Sequence, residues 1–176
     1  LLVKLTYHPE IDGLRAIAVF SVIINHAQDT FLPGGFLGVD IFFVISGYLI
    51  TSLILKELKL TNKFSFGHFY ERRVRRIMPA LLAVVILSNF ISYIVLLPDS
   101  FIDFSKSSIS SIFSFSNFYF VLTNNVYGTE SSLLKPLLHT WSLSIEEQFY
   151  ILFPFTIFVI YKFFRKYLLT LIFSGI

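Results

Sequence analysis

Arg15, His26, Glu146 and Glu147 are residues able to do chemistry in a chain with little room for charge. Ionisable groups at or near membrane depth are expensive, so each of them marks a functional candidate. A histidine titrates in the range where a base for a hydroxyl nucleophile has to work. A carboxylate bonded to that imidazole would orient it and stabilise its cation, and Asp12, Glu146 and Glu147 are the acids that could serve. His26 could instead carry the transferred group covalently, or be a satisfied interior or interfacial histidine, and residue types leave all three open. Arg73 and Arg76 stand three residues apart, a spacing that puts two planar forks on one helical face, where they can clamp a phosphate. A topological or lipid-anchoring role for the same basic cluster stays open beside that one.

The elements that must position these residues are helices in a membrane. The chain is 55% hydrophobic and 18% aromatic, with a mean hydropathy of +0.75, beyond what a soluble domain needs to fill its core. The reading is all-α: a polytopic transmembrane helix bundle. With no cysteine, disulfides, thiolate metal sites and cysteine nucleophiles are excluded. The net charge of +3 is too small to argue for nucleic acid, and the placement of the positive charges matters more than their sum. The chain starts at Leu1 and stops inside the fresh apolar run Tyr167 to Ile176, which reads as the N-terminal part of a larger membrane protein, residues 1–176 forming part of one integral-membrane domain.

Along the chain, the first apolar segment is Gly13 to Ala27. Eleven residues at about 100° each return His26 to within about 20° of Arg15, about 16 Å along the axis. Ser21 and Asn25 lie toward a protein-facing side, whereas Ile17, Phe20, Ile23 and Ile24 make a lipid-facing one. Asp12 precedes Arg15 by three residues, the spacing of a helical ion pair. The glycine-rich stretch Leu32 to Asp40 predicts a tight turn into the run Ile41 to Leu55, hence a helical hairpin, with Gly47 open to close packing. Lys56, Lys59, Lys63, Arg72, Arg73, Arg75 and Arg76 then mark a cytoplasmic side, which puts the N-terminus there too.

Ala80 to Leu97 reads as a span with Pro79 in its first turn. The serine-laced stretch Phe101 to Leu122 fits either a span packed inside the bundle or a re-entrant or interfacial segment, and the sidedness of the motif His139 to Tyr150 depends on which. That motif opens the apolar run Phe149 to Phe164. On a helix, His139, Ser142 and Glu146 would share a face, with Glu147 and Gln148 turned elsewhere.

These pieces, in this order, resemble the membrane acyltransferase-3 family, the O-acetylases of O-antigen, peptidoglycan and exopolysaccharide. The residues that carry the resemblance are Tyr7 to Ala16, the Arg15-x10-His26 pair, Gly38 to Ile50, the Phe69-Tyr70-x-Arg72-Arg73-x-x-Arg76-Ile77-x-Pro79 stretch, and Leu137 to Pro154. The family domain has about ten spans, so the resemblance implies its truncated first half, with about four to five membrane segments. It implies transfer of an acyl group, usually acetyl from cytoplasmic acetyl-CoA as donor, to a hydroxyl of a cell-envelope carbohydrate such as O-antigen lipopolysaccharide, exopolysaccharide or peptidoglycan. Position by position, it makes His26 the essential histidine, Arg15 its basic partner, Glu146 and Glu147 the acidic pair, and Arg73 and Arg76 the pair that meets CoA. Asp12, His139 and Trp141 fall in a supporting position. Arg72 and Arg75 add to the expected pair, so the phosphate-facing arginines are not fixed by the motif. A bacterial inner-membrane location, multi-pass with a cytoplasmic N-terminus, no metal and no nucleic-acid partner complete the expectation.

The competing class is a polytopic transporter or channel, which would also use intramembrane His, Arg and Glu. It predicts inverted repeats with broken helices at matching positions, and no internal repeat is visible.

Overall fold

A computed structural model describes residues 7–27, 30–124 and 135–163. Among these residues the chain is helical, with no strand. The helices are α1 (Pro9–Ala27), α2 (Gly38–Thr61), α3 (Phe66–Val95), α4 (Pro98–Ile112), α5 (Ser116–Asn124) and α6 (Thr140–Phe163), with a 3-10 turn at Gly35–Leu37. Gly35–Thr61, Phe66–Val95 and Thr140–Phe163 are long and apolar enough to cross a membrane. α1 has the length, at 19 residues, but carries Glu10, Asp12 and Arg15 in its first two turns. The chain falls into two compact units, Leu1–Phe64 with Leu152–Ile176, and Ser65–Ile151.

In the first unit α1 and α2 form the expected hairpin, and glycine sets how closely they approach. A Cβ on Gly38 would lie 2.8 Å from Val22 Cγ2 and collide with the Ala18 carbonyl. One on Gly35 would lie 2.7 Å from Asn25 Cβ and strike the Ser21 carbonyl. Only glycine leaves room for backbone at that distance. A Cβ on Gly47 meets nothing within 4 Å among the described residues. Ile50, Ile54 and Leu58 recur every fourth residue of α2 and are buried. Asn62, left-handed at φ 52°, stops α2 by returning its N–H to the Leu58 carbonyl at 2.9 Å.

In the second unit Leu81, Val85, Phe104, Phe120 and Leu137 form the core, flanked by Met78, Phe101, Tyr119 and Leu143. Here the structure departs from the sequence reading of Pro79. The helix does not start there: α3 runs unbroken from Phe66 and contains Pro79 in its interior. Its missing N–H leaves the Arg75 carbonyl without its helical donor. The arginine cluster therefore sits on the same rigid rod as the span, not on a loop. At 30 residues this rod is about 45 Å long against a hydrocarbon core of about 30 Å, enough to carry its first turns beyond the apolar layer.

The serine-rich stretch is a broken helix. α4 and α5 have 15 and 9 residues, and neither reaches the length of about 20 that a crossing helix needs. The break lies at Phe113–Phe115, where Ser114 takes a left-handed φ of 60°.

Candidate functional site

α1 carries Arg15 and His26 in the first unit. Arg15 pairs with Asp12 at 3.9 Å, the pair expected from their spacing. Because α1 is continuous, Asp12 lies about 21 Å along the axis from His26, too far to orient the imidazole directly. His26 is exposed near the end of α1, with Nδ1 at 3.0 Å from the Val22 carbonyl. That bond is satisfied by the tautomer with the proton on Nδ1, which leaves Nε2 with its lone pair, the form a base requires. Of the flanking polar side chains, Asn25 reaches into the hairpin turn, its Nδ2 donating to the Leu32 carbonyl at 3.0 Å, whereas Ser21 Oγ donates back along α1 to the Ile17 carbonyl at 2.8 Å. Ile17, Phe20 and Ile23 are exposed on the other side, as the lipid-facing assignment anticipates.

The second unit holds the acidic and arginine motifs together. A cleft of about 120 Å³ is lined by Tyr70, Arg73, Val74, Ile77, Met78, Glu147, Tyr150 and Ile151. The Arg73 guanidinium lies 5.4 Å from the Phe69 ring centroid and 5.1 Å from that of Tyr150. Both rings are buried and Arg73 is half-buried, so the cation is held over two aromatic rings. Arg72, Arg75 and Arg76 are exposed. Arg75 is paired with Glu71 at 2.9 Å on the exposed face. Tyr70 closes the cleft rim by donating to the Ile151 carbonyl at 2.9 Å.

Glu146 and Glu147 are adjacent but serve different elements. Glu146 accepts the hydroxyl of Tyr150, one turn on in α6. Glu147 accepts the hydroxyl of Ser114, at the break between α4 and α5. Gln148 Nε2 donates to the Ser114 carbonyl at 2.7 Å and to Asn117 Oδ1 at 3.0 Å, while Asn117 Nδ2 donates to Gln148 Oε1 at 3.1 Å. Below this level, Ser111 and Thr140 hydroxyls meet at 2.8 Å and those of Ser116 and Ser144 at 2.7 Å, all buried. The hydroxyls thus bind α4 and α5 to the start of α6. His139 lies exposed in the turn before α6, its carbonyl accepting Ser142 Oγ at 3.1 Å, and Trp141 is partly exposed beside it. Tyr150, Tyr70 and Ser114 are site residues the sequence reading did not single out. The signal available for Tyr150 was its position four residues after Glu146, on the same face.

Among the described residues no group of three or more His, Cys, Asp or Glu side chains gathers to hold a metal.

Long apolar helices, a hydroxyl-bonded helix break and ionisable groups confined to a few positions define a helical membrane protein with a polar site. The chain belongs to the acyltransferase-3 family, whose model, described as acyltransferase domain, matches residues 8–176. O-acetyltransferase OatA of Staphylococcus aureus strain NCTC 8325 is 44% identical to it over 158 residues, 89% of this chain and 26% of that protein. The protein SAS0844 of S. aureus strain MSSA476 is 46% identical over 151 residues, 86% of this chain and 25% of its own length. The chain thus spans about a quarter of the length of the curated relatives it matches. No solved structure matches it.

Proposed function

We propose that the protein is a membrane-bound O-acyltransferase that moves an acetyl group from acetyl-CoA to a hydroxyl of a cell-envelope carbohydrate. The observation that carries this reading is the family match over 8–176, joined to a relative named O-acetyltransferase. His26 Nε2 accepts the proton of the sugar hydroxyl as its oxygen attacks the thioester carbonyl. The C–S bond then breaks, and the proton passes from the imidazolium to the departing CoA thiolate, giving the ester and free CoA. Arg15 supplies positive charge on the same helix, at a separation of about 16 Å that suits a role in binding rather than contact with the imidazole.

On the donor side, Arg73 and Arg76 meet the phosphates of CoA, Arg73 from the cleft and Arg76 from the exposed face. The basic cluster supports a cytoplasmic location for that end of α3, and a cytoplasmic N-terminus in a bacterial inner membrane goes with this reading. Carbohydrate, its hydroxyl reaching the thioester from the outer face, is the acceptor, with O-antigen, exopolysaccharide and peptidoglycan as candidates. The test is transfer of label from [acetyl-¹⁴C]acetyl-CoA to envelope carbohydrate by membranes containing the full-length protein. Alkali-labile label above that of membranes without the protein supports the reading, and equal label in both contradicts it.

A further inference from the structure

From the stacking of Arg73 against Tyr150, we infer that Tyr150 is a positioning residue for the acyl donor: anchored by Glu146, its ring fixes the guanidinium so that the N–H edge stays available to a phosphate. This rests on the proposed role of Arg73 in donor binding. An arginine offers its two faces to aromatic rings and its edge to oxygen acceptors, and one orientation can satisfy both. Here the guanidinium carbon lies over the Phe69 and Tyr150 rings, 5.4 and 5.1 Å from their centroids. Among the described residues no carboxylate lies within 4 Å of Arg73, so its edge is not consumed by an ion pair as that of Arg75 is. The acid that could have taken it, Glu146, is instead bound to the hydroxyl of Tyr150. Glu146 therefore holds the ring, and the ring holds the cation. A guanidinium so immobilised loses less side-chain entropy when it meets a phosphate than a free one does.

The inference separates Tyr150 from a residue of merely structural importance. Kinetics of acetyl transfer are measured in membranes with full-length wild type, Arg73→Ala, Tyr150→Leu, Tyr150→Phe and the Arg73→Ala, Tyr150→Leu double variant, at matched protein abundance. The expected result is that Tyr150→Leu raises KM for acetyl-CoA by about fivefold with kcat nearly kept, that Tyr150→Phe restores most of it through the retained ring, and that Tyr150→Leu adds nothing once Arg73 is alanine. Multiplying effects in the double variant, or a fall in kcat or abundance with KM unmoved, overturns the inference while leaving Arg73 in its proposed role. If Arg73→Ala itself leaves KM unchanged, the donor-binding reading fails, and the inference falls with it.

Discussion

Ser114 gives its hydroxyl to Glu147 at the residue where the backbone turns left-handed and α4 ends. A helix break at membrane depth exposes N–H and C=O groups that lipid does not satisfy, so it persists only where protein supplies the partners. The N–H groups at the break return to α4, Ser114 to the Ser111 carbonyl at 3.2 Å and Phe115 to the Ser110 carbonyl at 2.8 Å, while α6 takes the Ser114 hydroxyl through Glu147 and donates to the Ser114 carbonyl from Gln148 at 2.7 Å. Two residues of the acidic motif are thus committed to holding α4 and α5 in place. Glu146, committed to Tyr150, is linked by that ring to Arg73.

Removing the amide that satisfies the break should destabilise the second unit. Gln148→Ala is expected to cost about 1–3 kcal/mol, the penalty of leaving a partly buried carbonyl unpaired. A lowered thermal midpoint in detergent, compared with wild type, measures it.

Position 114 should discriminate by backbone rather than by polarity alone. Ser114→Gly loses a hydroxyl but relieves the left-handed φ of 60°, so stability should change little. Ser114→Val, with a β-branched side chain in that conformation and no donor for Glu147, should lower the midpoint clearly. The comparison of the two variants in one unfolding assay decides it.

The glycines of the hairpin make opposite predictions. Gly38→Ala would drive a methyl into the Ala18 carbonyl and Val22, and should cost at least about 2 kcal/mol through displacement of α1 from α2. Gly47→Ala meets nothing within 4 Å and replaces a poor helix former, so it should be neutral or stabilising by up to about 1 kcal/mol. Protein yield and thermal midpoint of the two variants provide the check.

Arg75 and Arg73 should separate functionally despite their proximity in sequence. Arg75→Ala breaks an exposed pair with Glu71 worth about 0–1 kcal/mol and should leave transfer kinetics near wild type. Arg73→Ala should raise KM for acetyl-CoA by about tenfold or more, as expected for loss of a charge-assisted bond to phosphate. Steady-state kinetics on the two variants tests the contrast.

Much of this arrangement was legible from residue types. The angular positions of Arg15, Ser21, Asn25 and His26 follow from a helical period, and the structure places Ser21 and Asn25 against the turn and Ile17, Phe20 and Ile23 outward. The Asp12–Arg15 pair is an i,i+3 contact and needs no tertiary information. What was not legible depends on contacts distant in sequence. Phe101 to Leu122 contains neither proline nor glycine, and its break is fixed by side chains of α6 more than thirty residues on. Pro79 carried the opposite error: its tolerance in a first turn is a local rule, whereas α3 continues through it. Tyr150 looked like one more aromatic residue in a phenylalanine-rich chain until Arg73 was seen against it.

The most direct test of the proposed function is acetyl transfer from labelled acetyl-CoA to envelope carbohydrate in membranes carrying full-length wild type or His26→Ala at equal abundance. Loss of the base predicts a fall of at least about a hundredfold in the variant. Undiminished transfer by His26→Ala would contradict the account.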